Sequence, residues 1–134
     1  MLNRLWLLGF AVALCAAHAQ DFPAKPVRII VASAPGGGYD FTGRLLAEHL
    51  THELGQPFVV ENRVGGGTVL GTQTAAAAAP DGYTLVMGGL ANMAFNLAMH
   101  KDLRYDPVRD FTPVAMVGAF TYALVGRKDL PASN

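Results

Sequence analysis

A run of three glycines, Gly36, Gly37 and Gly38, precedes Tyr39 and Asp40 and has the composition of an anion-binding turn. Glycines permit positive φ angles and leave backbone N–H groups uncovered by a Cβ atom. Where such a turn enters a helix, its free donors and the positive end of the helix dipole favour an anion. The turn is therefore predicted to form half of a carboxylate-binding cleft. Asp40 is predicted to cap the helix, because its short carboxylate accepts from first-turn N–H groups and would repel a bound anion.

The segments on either side of this turn are predicted to be a buried strand and an amphipathic helix. Residues 27–32 (VRIIVA) are mostly apolar and rich in β-branched side chains, as in a parallel-sheet strand covered on both faces. Pro35 ends the strand, and Gly55 stands where a helix C-cap glycine is expected. Five helical residues fall on or near one stripe: Leu45, Leu46, His49, Leu50 and Leu54.

Strand and helix patterns alternate along the rest of the chain. A second glycine-rich turn, residues 65–67, separates the second strand from its helix. This β-α-β-α-β order predicts an α/β fold with a parallel sheet and right-handed crossovers. The further predicted elements are strands at 58–61, 84–87, 114–117 and 122–125 and helices at 69–79 and 92–99.

The N-terminal residues have the three parts of a secretory signal peptide. Arg4 is positive, residues 5–15 are apolar, and residues 17–19 (AHA) form a small-x-small cleavage site. Cleavage is predicted after Ala19, so the mature chain is expected to be secreted from the cytoplasm. An uncleaved anchor is the alternative, but the apolar run is shorter than the roughly 20 residues that a membrane span requires. Once Cys15 is removed, the mature chain has no cysteine and depends on its core rather than on disulfides.

Other patterns that could carry chemistry are incomplete. Ten basic residues balance ten acidic ones, so no charge excess points to nucleic acid. Residues 65–71 (GGGTVLG) follow a strand and open a helix, but they lack the spacing of GxGxxG, and no GxxxxGK[ST] occurs. His49 and His52 have no third metal ligand, and Arg63 is predicted to pair with a neighbouring acid rather than to clamp a ligand. No nucleophile–base pair is found, so no enzyme activity, cofactor or metal is predicted.

Five short pieces of the chain are specific when they are taken together: KPVRIIV, APGGGYD, LGQPFVVENR, PDGYTL and LRYDPVRDF. In this order and spacing they resemble the Bug/TctC family of periplasmic solute receptors, the extracytoplasmic subunits of tripartite tricarboxylate transporters. The resemblance runs from about Phe22 to Pro131. It implies the first α/β lobe of a type II periplasmic binding protein, truncated before the second lobe. Residues 1–19 are then the signal peptide and residues 20–134 a partial N-terminal lobe.

The resemblance also implies which residues hold the ligand. Receptors of this family bind organic acids through backbone N–H groups, small polar side chains and water, at the loops after the first and third strands. At position 39 and in the second of these loops, the family often has smaller or hydroxyl-bearing residues. The phenol of Tyr39 either narrows the pocket, stacks on an unsaturated or aromatic acid, or faces solvent. The candidate ligand-binding residues are Gly36, Gly37, Gly38, Tyr39, Asp40, Gly88, Gly89, Leu90, Ala91 and Asn92.

The function that these features predict is capture of a small carboxylate anion and its presentation to membrane permease subunits, without chemistry. The piece containing Tyr105, Asp106 and Asp110 is predicted to fix its loop rather than to bind ligand. A single lobe predicts an open groove, weak binding and self-association through exposed edges. The alternatives are a small secreted nucleotide-binding protein or enzyme that uses residues 65–71, and a remnant that folds poorly.

Overall fold

Strand β1 (Val27–Val31) is the centre of a three-stranded parallel sheet. It pairs with β2 (Phe58–Asn62) on one side and with β3 (Thr84–Val86) on the other. Four of its five side chains are buried and only Arg28 is exposed, as expected of a parallel strand covered on both faces. The predicted parallel α/β sheet is therefore confirmed.

The computed structural model describes residues 22–121, 123 and 125–127. The predicted signal peptide and its cleavage site lie outside these residues. None of the helices that are described combines the length and the apolar character that crossing a bilayer requires. The helical elements are α1 (Gly38–Leu54), α2 (Val69–Ala76), a π-helical turn (Ala91–Phe95) and α3 (Asn96–Met99).

Two glycines show that α1 and α2 pack on opposite faces of the sheet. A Cβ atom at Gly43 of α1 would lie 3.2 Å from Cγ2 of Val31. A Cβ atom at Gly71 of α2 would lie 2.5 Å from the Arg63 carbonyl oxygen and 2.7 Å from Cβ of Ala32. Because successive residues of an extended chain face opposite sides, Val31 and Ala32 mark the two faces that these helices cover.

The end of α1 was predicted more accurately than its buried face. Gly55 has φ of 68°, and its N–H donates to the Thr51 carbonyl at 3.1 Å, which confirms the C-cap. The predicted leucine stripe is wrong in part, since Leu45 is 59% exposed and Leu54 43% exposed. His49 is exposed as well, and only Leu46 and Leu50 of the stripe are half-buried. The helix instead buries Asp40, Gly43 and Ala47, and the absence of a side chain at Gly43 lets its backbone approach Val31 closely.

The helices after β2 and β3 differ in extent or type from those predicted. Helix α2 ends at Ala76, three residues before the predicted end. The segment predicted as a helix at 92–99 begins one residue earlier, with its first turn in the π form.

The strand predicted at residues 114–117 is wrong. This segment is irregular, and Val114 and Met116 are 82% and 89% exposed. A β-branched run becomes a strand only when a neighbouring strand accepts its backbone hydrogen bonds, and the described sheet ends at β3 on this side. The strand predicted at residues 122–125 lies partly outside the described residues.

Candidate functional site

The loop after β1 (residues 36–40, the first loop) and the loop after β3 (residues 88–92, the third loop) lie side by side at the carboxyl edge of the sheet. Their strands are neighbours, but the chain leaves them toward opposite faces. The first loop enters α1 on one face. The third loop joins α2 on the other, where the Asn92 amide donates to the Thr72 hydroxyl at 3.1 Å. The two loops therefore flank the topological switch point of the sheet; open α/β sheets bind ligands at such a point, and we call the space between the two loops the crevice.

The first loop presents the beginning of α1 to this crevice. Gly36 has φ of 84°, and Gly37 is the extended N-cap residue. The first intrahelical hydrogen bond is donated by the Phe41 N–H to the Gly37 carbonyl, at 2.9 Å. The N–H group of Gly38 precedes it and has no acceptor within the helix. The three glycines are exposed, so donors and the positive end of the helix dipole come together here, as the sequence predicted.

Asp40 holds this loop, but it is not the N-cap residue that was predicted. It is the third residue of α1 and is only 4% exposed. Its Oδ2 accepts from the Gly36 N–H at 2.8 Å, so the carboxylate reaches back across the turn instead of capping first-turn N–H groups. The prediction fails because Gly37 occupies the N-cap position, and an acid three residues later is placed to reach backwards, as in a capping box.

The charge of Asp40 is paired with Arg44. The guanidinium approaches both carboxylate oxygens, at 3.0 Å to Oδ1 and 3.1 Å to Oδ2. Hydrogen bonds from Arg44, and then those from the Gly36 N–H and from Asn62, lower the pKa of Asp40 from its ordinary 3.8 to about 2. The carboxylate therefore stays ionised. Its positive partner offsets the repulsion that it would exert on a nearby anion.

Asn62, at the end of β2, links this pair to β1 and was not identified from the sequence as a site residue. Its Nδ2 donates to Oδ1 of Asp40 at 3.0 Å and to the Ser33 carbonyl at 3.1 Å. Its Oδ1 accepts from Arg44 at 3.0 Å. A sequence pattern that could have identified Asn62 is its position as an amide at the carboxyl end of a predicted strand. The loops of a parallel sheet lie at that same edge. Ser33 adds a buried hydroxyl with no hydrogen-bond partner among the described residues, a group that a bound water or ligand can satisfy.

Asn92 shapes the third loop with its whole side-chain amide. Its Oδ1 accepts from the Gly89 N–H at 2.8 Å, and its Nδ2 donates to the Met87 carbonyl at 3.2 Å as well as to Thr72. The residue is 3% exposed. This geometry makes Asn92 a loop-shaping residue and uses the Gly89 N–H. Of the other predicted residues in this loop, Gly88 and Leu90 are exposed and Ala91 is half-buried.

Tyr39 spans the crevice from the first loop to the third. A Cβ atom at Gly89 would lie 1.8 Å from the phenol Oη and 2.5 Å from Cζ, so the ring sits directly against the Gly89 backbone. On another side, the Phe120 ring is 5.8 Å away between centroids and is tilted by 55°. Of the three orientations left open by the sequence, the one that narrows the pocket agrees with this geometry.

Tyr105 braces the third loop from below. Its hydroxyl donates to the Asn92 carbonyl at 2.6 Å and accepts from Nδ2 of Asn96 at 3.1 Å. Asn96 also donates to Oγ1 of Thr68, beside the second glycine turn. The hydroxyl of Tyr105 and the amide of Asn96 were not identified from the sequence as parts of the site, because their partners are remote in the chain.

The polar residues after Tyr105 form a turn of their own. Oδ1 of Asp106 accepts from the N–H groups of Val108 and Arg109 at 2.8 and 3.2 Å, and the Asp106 N–H donates to Oδ2 of Asp110 at 2.7 Å. The sequence interpretation, that this piece fixes its loop, agrees with these contacts.

The remaining candidates form no ligand cluster. Within the described part of the chain, no group of three or more His, Cys, Asp or Glu residues is arranged to hold a metal ion. His49 and His52 are exposed on α1, and Arg63 pairs with Glu61 as predicted. In the turn at 65–67 every glycine has positive φ, and the following residue, Thr68, has φ of 81° with its hydroxyl engaged by Asn96.

Comparison with known proteins gives one consistent family. Residues 42–134 match the family described as tripartite tricarboxylate transporter family receptor. The BugT protein of Bordetella pertussis is 43% identical over 130 residues, which cover 93% of this chain and 40% of BugT. The chain thus spans about two fifths of the length of the curated relatives that it matches first, 41% and 40%.

Solved structures give the same result. The structure of MatC from Rhodopseudomonas palustris with bound malate matches with a TM-score of 0.69 and 41% identity, over 72% of this chain and 33% of MatC. A second R. palustris protein, solved with adipate, matches with a TM-score of 0.68 and 36% identity, over 70% of this chain and 31% of that protein. A nucleotide-binding role for residues 65–71 is not favoured by these matches.

Proposed function

The chain belongs to the tripartite tricarboxylate transporter receptor family, and from that premise we propose that it captures a small organic acid anion in the crevice between its first and third loops. The observation that carries the proposal is the first loop. Its exposed glycines bring the N-terminus of α1 to the edge of the sheet beside the loop that follows β3. A carboxylate fits this place because it accepts hydrogen bonds from first-turn N–H groups and is attracted by the helix dipole.

Capture in this crevice needs no chemistry from the protein. The ligand carboxylate accepts from the Gly38 N–H at the start of α1, and water completes its shell. Asp40 and Arg44 form a neutral pair that fixes the loop, while Asn92 fixes the loop opposite. No general acid or base is required for binding and release, so the proposal is a receptor and not an enzyme.

Dicarboxylates and related organic acids are the proposed ligand class. The support comes from relatives of known structure, which were solved with malate and with adipate. The proposed partners are the membrane permease subunits of a tripartite transporter. The proposed compartment is the periplasm, to which the predicted signal peptide would direct the chain. Residues 20–134 are proposed to be part of the N-terminal lobe of such a receptor.

Substituting Gly37 with valine tests the site. A Cβ atom at Gly37 would meet only the Ala34 carbonyl oxygen, at an ordinary 3.6 Å, so the fold should tolerate a side chain there. The valine would, however, cover the first-turn N–H groups. We expect the Gly37→Val chain to bind dicarboxylates at least about tenfold more weakly, as measured by calorimetric titration, because hydrogen-bond donors to the carboxylate are lost.

Gly118→Val is the matched control, since a Cβ atom at Gly118 meets nothing within 4 Å. This variant should bind like the unsubstituted chain. Equal affinity of the Gly37→Val and Gly118→Val chains would contradict a carboxylate site at the first loop.

A further inference from the structure

The crevice between the first and third loops is narrowed by a side chain of the protein itself, the phenol of Tyr39. We propose that Tyr39 is the specificity-determining residue of the site and restricts it to short carboxylates. This inference rests on the proposed function, since it concerns which acids the same crevice accepts.

The phenol of Tyr39 lies against the backbone of Gly89, a residue without a side chain. A Cβ atom at this position would lie 1.8, 2.5 and 2.7 Å from Oη, Cζ and Cε1 of Tyr39, so the ring can occupy its place only because residue 89 has no side chain. The Gly89 backbone is also held in position, because Oδ1 of the buried Asn92 accepts a hydrogen bond from the Gly89 N–H at 2.8 Å. The Gly89 backbone therefore cannot move away from the phenol without breaking that hydrogen bond.

A second aromatic side chain, Phe120, lies near the phenol. The Phe120 ring lies 5.8 Å from the Tyr39 ring, and its Cε1 would be 3.6 Å from a Cβ atom at Gly38. Tyr39 thus contacts Gly89 and lies beside Phe120, and its exposed fraction is intermediate. Phe120 is itself 53% exposed, so the Gly89 backbone is the firmer of the two neighbours.

Because of its position in α1, the Tyr39 ring limits the length of the carbon chain that a bound acid can have. Tyr39 is the second residue of α1 and directly follows Gly38, whose N–H is the proposed donor to the ligand carboxylate. An acid that places one carboxylate on this donor meets the phenol with its carbon chain. A short chain ends before the ring, while a longer one must displace it. A packed wall of this kind discriminates by roughly tenfold or more for each methylene group that does not fit.

Two unbranched acids and two substitutions of Tyr39 test this length limit on the full chain. The acids are succinate, with four carbons, and pimelate, with seven. The Tyr39→Ala variant removes the ring, and Tyr39→Phe keeps the ring while removing the hydroxyl. We expect the unsubstituted chain and Tyr39→Phe to prefer succinate. In Tyr39→Ala, the ratio of the two Kd values should shift toward pimelate by about tenfold or more.

The inference would be overturned by an unchanged Kd ratio in Tyr39→Ala, with both acids still bound; this result would leave the proposed function intact. An equal shift in Tyr39→Phe would also overturn it, since a hydroxyl contact and not ring size would then set the preference. Binding of pimelate by Tyr39→Ala alone would support the inference. If no variant and no unsubstituted chain binds either acid, the proposed function itself fails, and the inference fails with it.

Folding of the variants is checked by circular dichroism before titration. Should Tyr39→Ala fail to fold, Tyr39→Leu provides the same test with an apolar side chain that still packs on α1. Because leucine is shorter than the phenol, the Kd ratio should shift in the same direction. An unchanged ratio in a folded Tyr39→Leu chain would count against the length limit.

Discussion

The polar side chains nearest the crevice mainly hold its loops in place. Asp40, Asn62 and Asn92 have their carboxylate or amide groups engaged by backbone groups or by other side chains. The donors proposed for a ligand are instead backbone N–H groups at the start of a helix, which depend on the loop keeping its shape. Substituting these polar residues should therefore alter stability and loop geometry directly. Ligand binding should change only as a consequence of the altered loop geometry.

The pH dependence of stability tests the role of Asp40. Its pKa is about 2 in the folded chain and is expected to be near 3.8 when the chain is unfolded. A carboxylate whose pKa is lowered by folding stabilises the folded chain above its unfolded pKa, and this contribution is lost as the pH falls through the folded pKa. Between about pH 4 and pH 2, thermal unfolding followed by circular dichroism should show a steeper loss of Tm in the unsubstituted chain than in Asp40→Asn.

The comparison with Asp40→Asn isolates this residue, because the other acids, among them Asp81, titrate in both chains. The pKa of Asp81 is also lowered, chiefly by the hydrogen bond that it accepts from the Tyr83 N–H. Parallel pH profiles of the two chains would contradict the account of Asp40.

At the scale of elements, agreement between prediction and structure depends on whether a signal is local. The runs at β1 and β2 are β-branched and are bounded by glycine or proline, so their strands follow from neighbouring residues alone. The buried face of α1 depends instead on how closely Gly43 approaches Val31, a contact that the periodicity of leucines does not encode. The segment at 114–117 has the composition of a strand but no described partner with which to pair.

The residues of the candidate site likewise fall into those predicted from local sequence and those that depend on contacts between remote residues. The two glycine-containing loops were predicted because their composition is local and because parallel strands place their carboxyl ends at one edge. The links between Asp40 and Asn62, and among Asn92, Asn96 and Tyr105, join residues that are up to 22 positions apart. Single-sequence patterns do not reveal such pairs. The placement of the Tyr39 ring against Gly89 is likewise a tertiary contact.

The brace between Tyr105 and the third loop gives a prediction at this scale. Tyr105→Phe removes the 2.6 Å hydrogen bond to the Asn92 carbonyl, as well as the acceptor that Asn96 uses. Because an unpaired buried carbonyl is costly, we expect a loss of about 1–3 kcal/mol in the free energy of unfolding, measured by urea denaturation. Amide hydrogen exchange at residues 89–92 should also become faster.

Tyr83→Phe is the matched control, since the Tyr83 hydroxyl accepts an exposed hydrogen bond from the Ala24 N–H. It should cost less than about 1 kcal/mol and leave exchange in the third loop unchanged. Equal losses in the two variants, with unchanged exchange at residues 89–92 in both, would show that Tyr105 does not brace this loop.

At the scale of the whole molecule, the exposed apolar residues near the end of the described part of the chain bear on its behaviour in solution. The chain covers about a third of the length of the malate-bound relative, and Tyr105, buried beneath the third loop, contrasts with the exposed residues that follow it. Val114, Met116 and Val125 are each more than four-fifths exposed. Apolar residues uncovered in this way promote association, so self-association remains a prediction for the chain in solution.

The most direct test of carboxylate capture is an NMR titration of the isotopically labelled chain with succinate, followed through its backbone amides. Our account predicts saturable shifts concentrated at residues 36–40, with smaller ones at 88–92, and none of comparable size in the turn at 65–71. Absence of saturable shifts, or shifts centred on residues 65–71, would contradict capture of a carboxylate between the first and third loops.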